Sequence, residues 1–331
     1  MSLRLSSRYI KTEASALGFF ACGVAKADAI SNDEAVRLRL WLDRKNYADM
    51  SYMANHTDKR LDPRLLMDGL KSIVCVALNY SPARRIPENE LQFAAYALGQ
   101  DYHDIVKAKL HALAAKIGIE HYRVFCDSAP VLERYWAVQA GLGWVGKNHQ
   151  LIIPNAGSMF FLGELFLDVE LEYDSPVKSR CGSCHACIDA CPTGALCLNS
   201  NEETANEFNA TLCLSYQTIE NRNDIPVELA SKMGNTIYGC DRCQVACPWN
   251  RFAKPTTEQL LQPREELLQM TRERWNNLTI DEYRRLFKGS AVKRAKYEGL
   301  MRNIRAINGN KDMIDNDNEN NNLNKIDGEN K

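Results

Sequence analysis

The 331-residue sequence lacks any apolar run close to the ~20 residues a membrane-spanning helix needs. Its greasiest stretch, residues 160–169, is interrupted by Gly163, Glu164 and Asp168. Neither charge is in excess: 41 Lys and Arg stand against 42 Asp and Glu, so the net charge of −1 predicts no polyanion binding by itself. The opening residues, Met1 to Arg8, lack the apolar core of a secretory signal, and a soluble cytoplasmic protein is expected. Cysteine is too dilute for a disulfide scaffold, at twelve in the chain. What is present is ordinary for a globular protein: 45% apolar and 25% charged residues, with length for two or three domains.

The cysteines are unevenly placed. Cys22, Cys75 and Cys126 are scattered, whereas nine lie between Cys181 and Cys247. In a reducing compartment such a cluster points to metal. The first run, Cys181-x2-Cys184-x2-Cys187-x3-Cys191-Pro192, has the ferredoxin spacing for iron–sulfur ligation. Three thiolates on one turn reach three irons of a cubane, and the fourth, before proline, turns toward a second cluster. The second run, Cys240-x2-Cys243-x3-Cys247-Pro248, is one cysteine short, and Cys213 is the natural replacement. The spacing therefore predicts two 4Fe–4S clusters. One is held by Cys181, Cys184, Cys187 and Cys247, the other by Cys191, Cys213, Cys240 and Cys243. Zinc would account for isolated CxxC pairs but not for two C-P endings. Cys197 is left over as a plain thiol.

Residues 1–170 alternate helix and strand signals, an α/β pattern. Residues 71–80 read as a buried strand, and 121–126, 150–153 and 160–169 as further strands. Val106, Leu110, Leu113, Ala114 and Ile117 fall at helical spacing, with Gly118 behind them as a C-terminal stop. Asp127-Ser-Ala-Pro130 reads as the opening of another helix, with Pro130 in its first turn. In residues 171–254 periodicity fades, which predicts folding around metal rather than an apolar core. Residues 255–307 are helical and basic, with eight Lys or Arg and one acid between Arg284 and Arg305. Residues 308–331, rich in Asn and acids, read as a disordered tail.

Two signals fail on context. Residues 141–148 match G-x-G-x-x-G and part of a P-loop by letter, but a helix precedes them and a strand follows, the reverse of a nucleotide site. The loop either holds a polar cofactor or only connects helix to strand. Asp127, at a strand end before a helix, is either an N-terminal cap or a catalytic acid at a sheet rim.

Several segments together resemble one family, the epoxyqueuosine reductases. They are residues 96–103 (YALGQDYH), 127–134 (DSAPVLER), 140–148 (AGLGWVGKN), 213–220 (CLSYQTIE), both cysteine runs, 289–294 (GSAVKR) and 301–303 (MRN). The resemblance runs in order from about residue 5 to 307. It implies an α/β (α+β) cobalamin-binding domain of the nitroreductase and reductive dehalogenase type. A two-cluster ferredoxin-like domain and a small HEAT-like helical segment would follow. It implies cobalamin bound base-off, with one cobalt face open. It further implies that Asp127 is the proton donor and that Arg60, Tyr102, His103, Glu133, Lys147, Gly157, Ser158 and Ser215 contact the cofactor. Arg222, Lys293, Arg294 and Lys296 would contact tRNA. The implied partners are tRNA carrying epoxyqueuosine and an external low-potential donor of the flavodoxin or ferredoxin class, with the protein monomeric. An acid still protonated near neutrality needs a raised pKa, so burial beside the corrin is expected to raise that of Asp127. The rivals are a cobalamin dehalogenase and a plain ferredoxin with an accessory domain.

Overall fold

The structure, a computed structural model, describes residues 5–197 and 207–309. The Asn-rich tail expected over 308–331 lies, beyond residue 309, outside the described residues. The chain opens with α1 (Ser7–Ala16), β1 (Ala21–Lys26), α2 (Asn32–Asp43) and α3 (Thr57–Leu61). Next come β2 (Ser72–Asn79), β3 (Gln92–Phe93), α4 (Tyr102–Lys116), β4 (Tyr122–Phe125) and α5 (Glu133–Gln139). The hairpin β5 (Trp144–Val145) and β6 (Leu151–Ile152) leads into β7 (Phe160–Leu167).

The main sheet has the order β1-β2-β7-β4 and every pair is antiparallel. The helix–strand mix agrees with the sequence pattern, but the pairing is not that of parallel βαβ units. The long excursion between β2 and β7 lets β7 enter between β2 and β4 from the opposite direction. β2 is buried on both faces up to Asn79, as its β-branched run predicts. Val74, Val76 and Leu78 pack with Leu165 and Leu167 against α1 and α4. Ile73, Cys75 and Ala77 pack with Phe125 and Phe166 on the α5 face. Gly163 is needed because α4 lies so close: an added Cβ would stand 2.5 Å from Val106 Cγ1. α4 forms where its periodicity predicts, capped by Asp101, whose carboxylate accepts from the His103 amide at 3.1 Å.

The second half contains α6 (Ala186–Asp189), β8 (Leu196–Cys197), β9 (Glu207–Phe208), α7 (Leu214–Ile219), α8 (Val227–Ala230) and β10 (Thr236–Tyr238). After α9 (Arg242–Val245) come α10 (Glu265–Leu268), α11 (Arg272–Asn276), α12 (Ile280–Leu286) and a closing helix at 296–309. The expectation that residues 171–254 lack an apolar core is corrected here. Leu214, Met233, Ile237 and Tyr238 are buried with Leu91 and Phe93 from the first half and with Trp275, Phe287 and Leu300 from the last. β10 pairs in parallel with β3 inside this core. The three segments therefore share packing across the boundaries at 170 and 254. Asn303, fully buried, fastens the closing helix by donating to the carbonyls of Thr218 and Ile237 at 2.8 Å each.

Candidate active site

Asp127 follows β4 and has φ +59, a left-handed conformation that Asp tolerates better than most residues. This overturns the capping alternative. α5 starts six residues later at Glu133, and its capping residue, Leu132, offers no side-chain bond. The Asp127 carboxylate turns to the start of α4 instead. Oδ2 accepts from the Tyr102 hydroxyl at 2.6 Å and lies 3.1 Å from His103 Nε2. His103 Nδ1 lies 2.7 Å from Asp101 Oδ1. Two carboxylates can only accept, so an imidazole bonded to both must carry both protons. Tyr102 is fixed by stacking on Phe161, with centroids 4.1 Å apart and rings 2° from parallel, and on His103 at 4.1 Å.

The electrostatics agree with this geometry. Burial lowers the pKa of His103, but bonds to Asp101 and Asp127 outweigh it and raise the imidazole to about 9. Enclosure by the cleft pushes the Asp127 carboxyl up, but donation from His103 and Tyr102 outweighs it, so its pKa is lowered. The expectation of a raised Asp127 is thus corrected. Its side chain is 59% exposed, at the open mouth of the site, with two donors aimed at it. Burial and the Asp127 charge raise Tyr102, which stays a phenol. Glu133, half-buried, accepts from the Asp127 backbone amide and is raised to about 7 by burial and then by Asp127.

The cysteines gather as two quartets. Burial raises Cys187, and the sulfurs of Cys247, Cys181 and Cys184 raise it further. Burial raises Cys243, as do Cys240, Cys213 and Cys191, with Cys187 a more distant neighbour. The first quartet and the second are therefore adjacent. Backbone amides are aimed at the sulfurs: those of Thr193, Ala195 and Leu196 at Cys191, and those of Ser215 and Tyr216 at Cys213. The Trp144 indole nitrogen lies 3.4 Å from Cys181 Sγ. Cys197 Sγ, in contrast, donates to the Gly194 carbonyl at 3.2 Å. Among the described residues no three His, Cys, Asp or Glu side chains converge tightly enough to hold a single ion. Thiolates on a cubane each bind a separate iron and need no such convergence.

The other expected cofactor contacts have polar partners within the chain. Lys147 donates to the carbonyls of Gly182 and Cys184, at 2.8 and 3.0 Å, and Asn148 donates to that of Cys243 at 3.3 Å. The glycine-rich loop therefore braces both cysteine runs. Gly157 and Ser158 face Asn250: Ser158 N donates to Asn250 Oδ1 at 2.7 Å, and a Cβ on Gly157 would stand 2.2 Å from that oxygen. Ser158 is buried there, as a joint between halves. Arg60, also buried, donates to the carbonyls of Tyr52 and Asn55. Ser215 stands on α7 beside Cys213.

The basic segment reaches the same rim. The Asp101 amide donates to the Gly289 carbonyl at 2.8 Å, and Lys293 lies close enough to help lower Asp101. Arg294 is committed to a bidentate pair with Glu220, at 2.7 and 2.8 Å, beside the Tyr52 ring. Arg222 donates to the carbonyls of Ile219 and Arg294. Arg285 pairs with Glu266 and Arg302 holds carbonyls of residues 217–223. Lys293 and Lys296 have no ion pair among the described residues, and both line a groove of about 420 Å³ with Tyr283, Phe287 and Tyr297. Sequence reasoning missed Asp101 as a member of the site, and it gave no part to Glu164, buried on β7 opposite Phe125. Asp101 carried no sequence signal of its bond to His103, and Glu164 sat in an apolar run.

The comparisons with known proteins fit this arrangement. A family model described as 4Fe–4S double cluster binding domain matches residues 180–250. One described as epoxyqueuosine reductase QueG matches residues 60–128. The chain is 45% identical over 302 residues to an epoxyqueuosine reductase of Cellulophaga algicola, covering 90% of this chain and 96% of that one. It is 38% identical over 325 residues to that of Escherichia coli, covering 94% and 82%. A crystal structure of epoxyqueuosine reductase with an epoxyqueuosine-modified tRNA-Tyr stem loop superimposes with a TM-score of 0.81 at 28% identity. That match covers 91% of this chain and 80% of the other. Fold and site together define an oxidoreductase with a 4Fe–4S double-cluster domain. Within that class, the chain belongs to the epoxyqueuosine reductase family.

Proposed function

We propose that this cytoplasmic, monomeric protein reduces epoxyqueuosine to queuosine at the wobble position of tRNA anticodons. Electrons pass through two 4Fe–4S clusters to cobalamin. The observation that carries this reading is a shared rim: the acid–imidazole pair of Asp127 and His103 adjoins Gly289 and Lys293 of the basic segment. A solved relative holds an epoxyqueuosine-modified tRNA stem loop.

Cys181, Cys184, Cys187 and Cys247 hold the outer cluster, where Cys184 is exposed. Cys191, Cys213, Cys240 and Cys243 hold the inner one. Tyr80 lies within electrostatic reach of both Cys243 and Arg134, the neighbour of Glu133, which supports a place for the inner quartet on the side of the catalytic cleft. The amides aimed at Cys191 and Cys213 suit anionic sulfur. A reduced flavodoxin or ferredoxin supplies electrons at the exposed side. The N-terminal domain would bind cobalamin, and His103 would not serve as a ligand to it, because both of its ring nitrogens are engaged. Bound there, cobalamin supplies low-potential electrons at a nucleophilic cobalt.

The reaction takes epoxide, two electrons and two protons to alkene and water. The chain supplies the proton at the departing oxygen. At rest that proton is stored on His103, because Asp127 is held ionised. When tRNA covers the cleft and expels water, loss of solvent disfavours the ion pair, and the proton moves from His103 Nε2 to Asp127. Asp127, at the mouth, passes it on. The solved Bacillus subtilis relative has its catalytic aspartate loop swung out of the active site, so this loop is a movable part there.

His103 also sets the pH range. Its pKa is raised from 6.5 to about 9 in the fold, so its stabilising contribution is full below about 6.5 and is lost as pH rises through about 9. Turnover under saturating reductant should fall along that same limb, and His103→Gln should abolish the limb. A wild-type profile flat to pH 10 would contradict storage on His103.

For tRNA, the discount for paired arginines matters. Lys293→Glu with Lys296→Glu should weaken stem-loop binding and reduce the salt slope by about 2, roughly one per phosphate contact. Binding titrations at several salt concentrations read both effects; an unchanged slope would remove these lysines from the interface. The function itself is tested by expressing the chain in cells that lack their own epoxyqueuosine reductase. Queuosine should reappear in their tRNA. Accumulation of epoxyqueuosine alone, with the protein folded and iron-loaded, would contradict the proposal.

A further inference from the structure

Glu164 is 0% exposed, at the centre of β7, and among the described residues no N–H or hydroxyl donor reaches either of its carboxyl oxygens. A lone buried carboxylate is among the costliest groups a fold can contain. Among the described residues no cation is paired with it. In register it faces Cys75 on β2 and Phe125 on β4, and it points to the face that carries α5. A polar neighbour within hydrogen-bonding reach is Glu133 of α5, itself a carboxyl. Two acceptors can bond only if one of them carries a proton. The rest of the pair's surroundings are Cys126 and Asp127 after β4, Arg134 on α5, and Tyr102 and His103 on α4. The single cation of fixed charge among them, Arg134, is exposed.

Glu133 already has one oxygen committed, since it accepts from the backbone amide of Asp127. That amide belongs to a residue at φ +59, a conformation that needs an outside tie to persist. We propose that Glu164 carries a proton at neutral pH and donates it to Glu133, and that this carboxyl pair is the positioning device that holds Asp127 in its left-handed backbone conformation. Glu133 is the tie and Glu164 fixes the tie. The inference rests on the reading of Asp127 as the group that hands over the proton, and it adds two residues that act through the placement of Asp127. Burial followed by the charge of Glu133 raises Glu164 well above the usual carboxyl range, in agreement with the geometry.

The test starts with a readout that needs no turnover. Infrared difference spectra of the purified holoenzyme at pH 7, wild type against Glu164→Gln, should show one protonated-carboxyl stretch that the variant lacks. A wild-type spectrum with no protonated-carboxyl stretch beyond what Glu164→Gln shows would overturn the proposal. Glu164→Gln can still donate to Glu133 through its amide and should keep turnover near wild type. Glu164→Leu cannot donate, and should lower kcat about 10–100-fold, the scale of a misplaced catalytic group, with little change in KM for tRNA. Equal kcat in the two variants would also overturn it. If Glu164→Leu fails to fold, Glu133→Leu serves for the same split, because its site is only half-buried. Failure of the parent reading looks different: Asp127→Asn would then turn over normally while the infrared band persists.

Discussion

Asp127→Asn should lower turnover by about 10²–10⁴-fold, the usual worth of a positioned proton donor, while the protein keeps its fold, its iron and its affinity for tRNA. The structure explains why the effect should be confined to chemistry. Asp127 caps no helix, so no capping bond is lost. Its backbone is left-handed, where Asn is as well tolerated as Asp. The bond to Glu133 comes from the backbone amide and survives the substitution. An amide oxygen can still accept from Tyr102, but it cannot take the proton stored on His103 and pass it on. The measurement is single-turnover reduction of an epoxyqueuosine stem loop, beside a melting curve. Turnover near wild type would show that Tyr102 or His103 acts on the departing oxygen directly.

Cys181→Ala and Cys240→Ala should each leave about four irons per chain where the wild type has about eight, and each should abolish reduction by a protein donor. Cys197→Ala should leave iron unchanged, since its thiol is a donor to Gly194 and stands outside both quartets. The effects on stability should differ between the two ligand variants. Cys181 sits in a small cluster with Trp144, Ile152 and Cys247, apart from the large second core, so its loss should loosen that segment locally. Cys240 is packed against the large second core, which should stay folded without its cluster. Iron and sulfide analysis with limited proteolysis reads both points. Equal iron loss from Cys197→Ala would break the ligand assignment.

The parts legible in the sequence were those written in local signals. β2 and β7 announce themselves as β-branched or aromatic runs, α4 by its apolar spacing, and the two quartets by cysteine intervals repeated within a dozen residues. The parts that were not legible depend on distant pairs. Whether Asp127 caps a helix or acts as an acid turns on φ at one residue and on contacts with Tyr102 and His103, some 25 positions away. The bonds of Lys147 to carbonyls 35 and 37 residues on were likewise out of reach of any local signal. The second core draws Phe93, Tyr238 and Trp275 from three segments, each too short in apolar residues to declare a core alone. The charge of the basic stretch was overstated for a related reason: Glu220 and Glu266, which neutralise Arg294 and Arg285, lie outside it.

The central claim is that this chain removes the epoxide oxygen in tRNA with cobalamin fed by two clusters. Its most direct test is nucleoside mass analysis of an epoxyqueuosine-containing tRNA after anaerobic incubation with the full chain. The protein is reconstituted with iron, sulfide and cobalamin and driven by reduced flavodoxin, and parallel reactions omit cobalamin or iron. The account predicts loss of one oxygen atom from the modified nucleoside in the complete reaction and almost none in either omission. Full conversion without cobalamin, or no conversion by a protein carrying both clusters and the corrinoid, would contradict it.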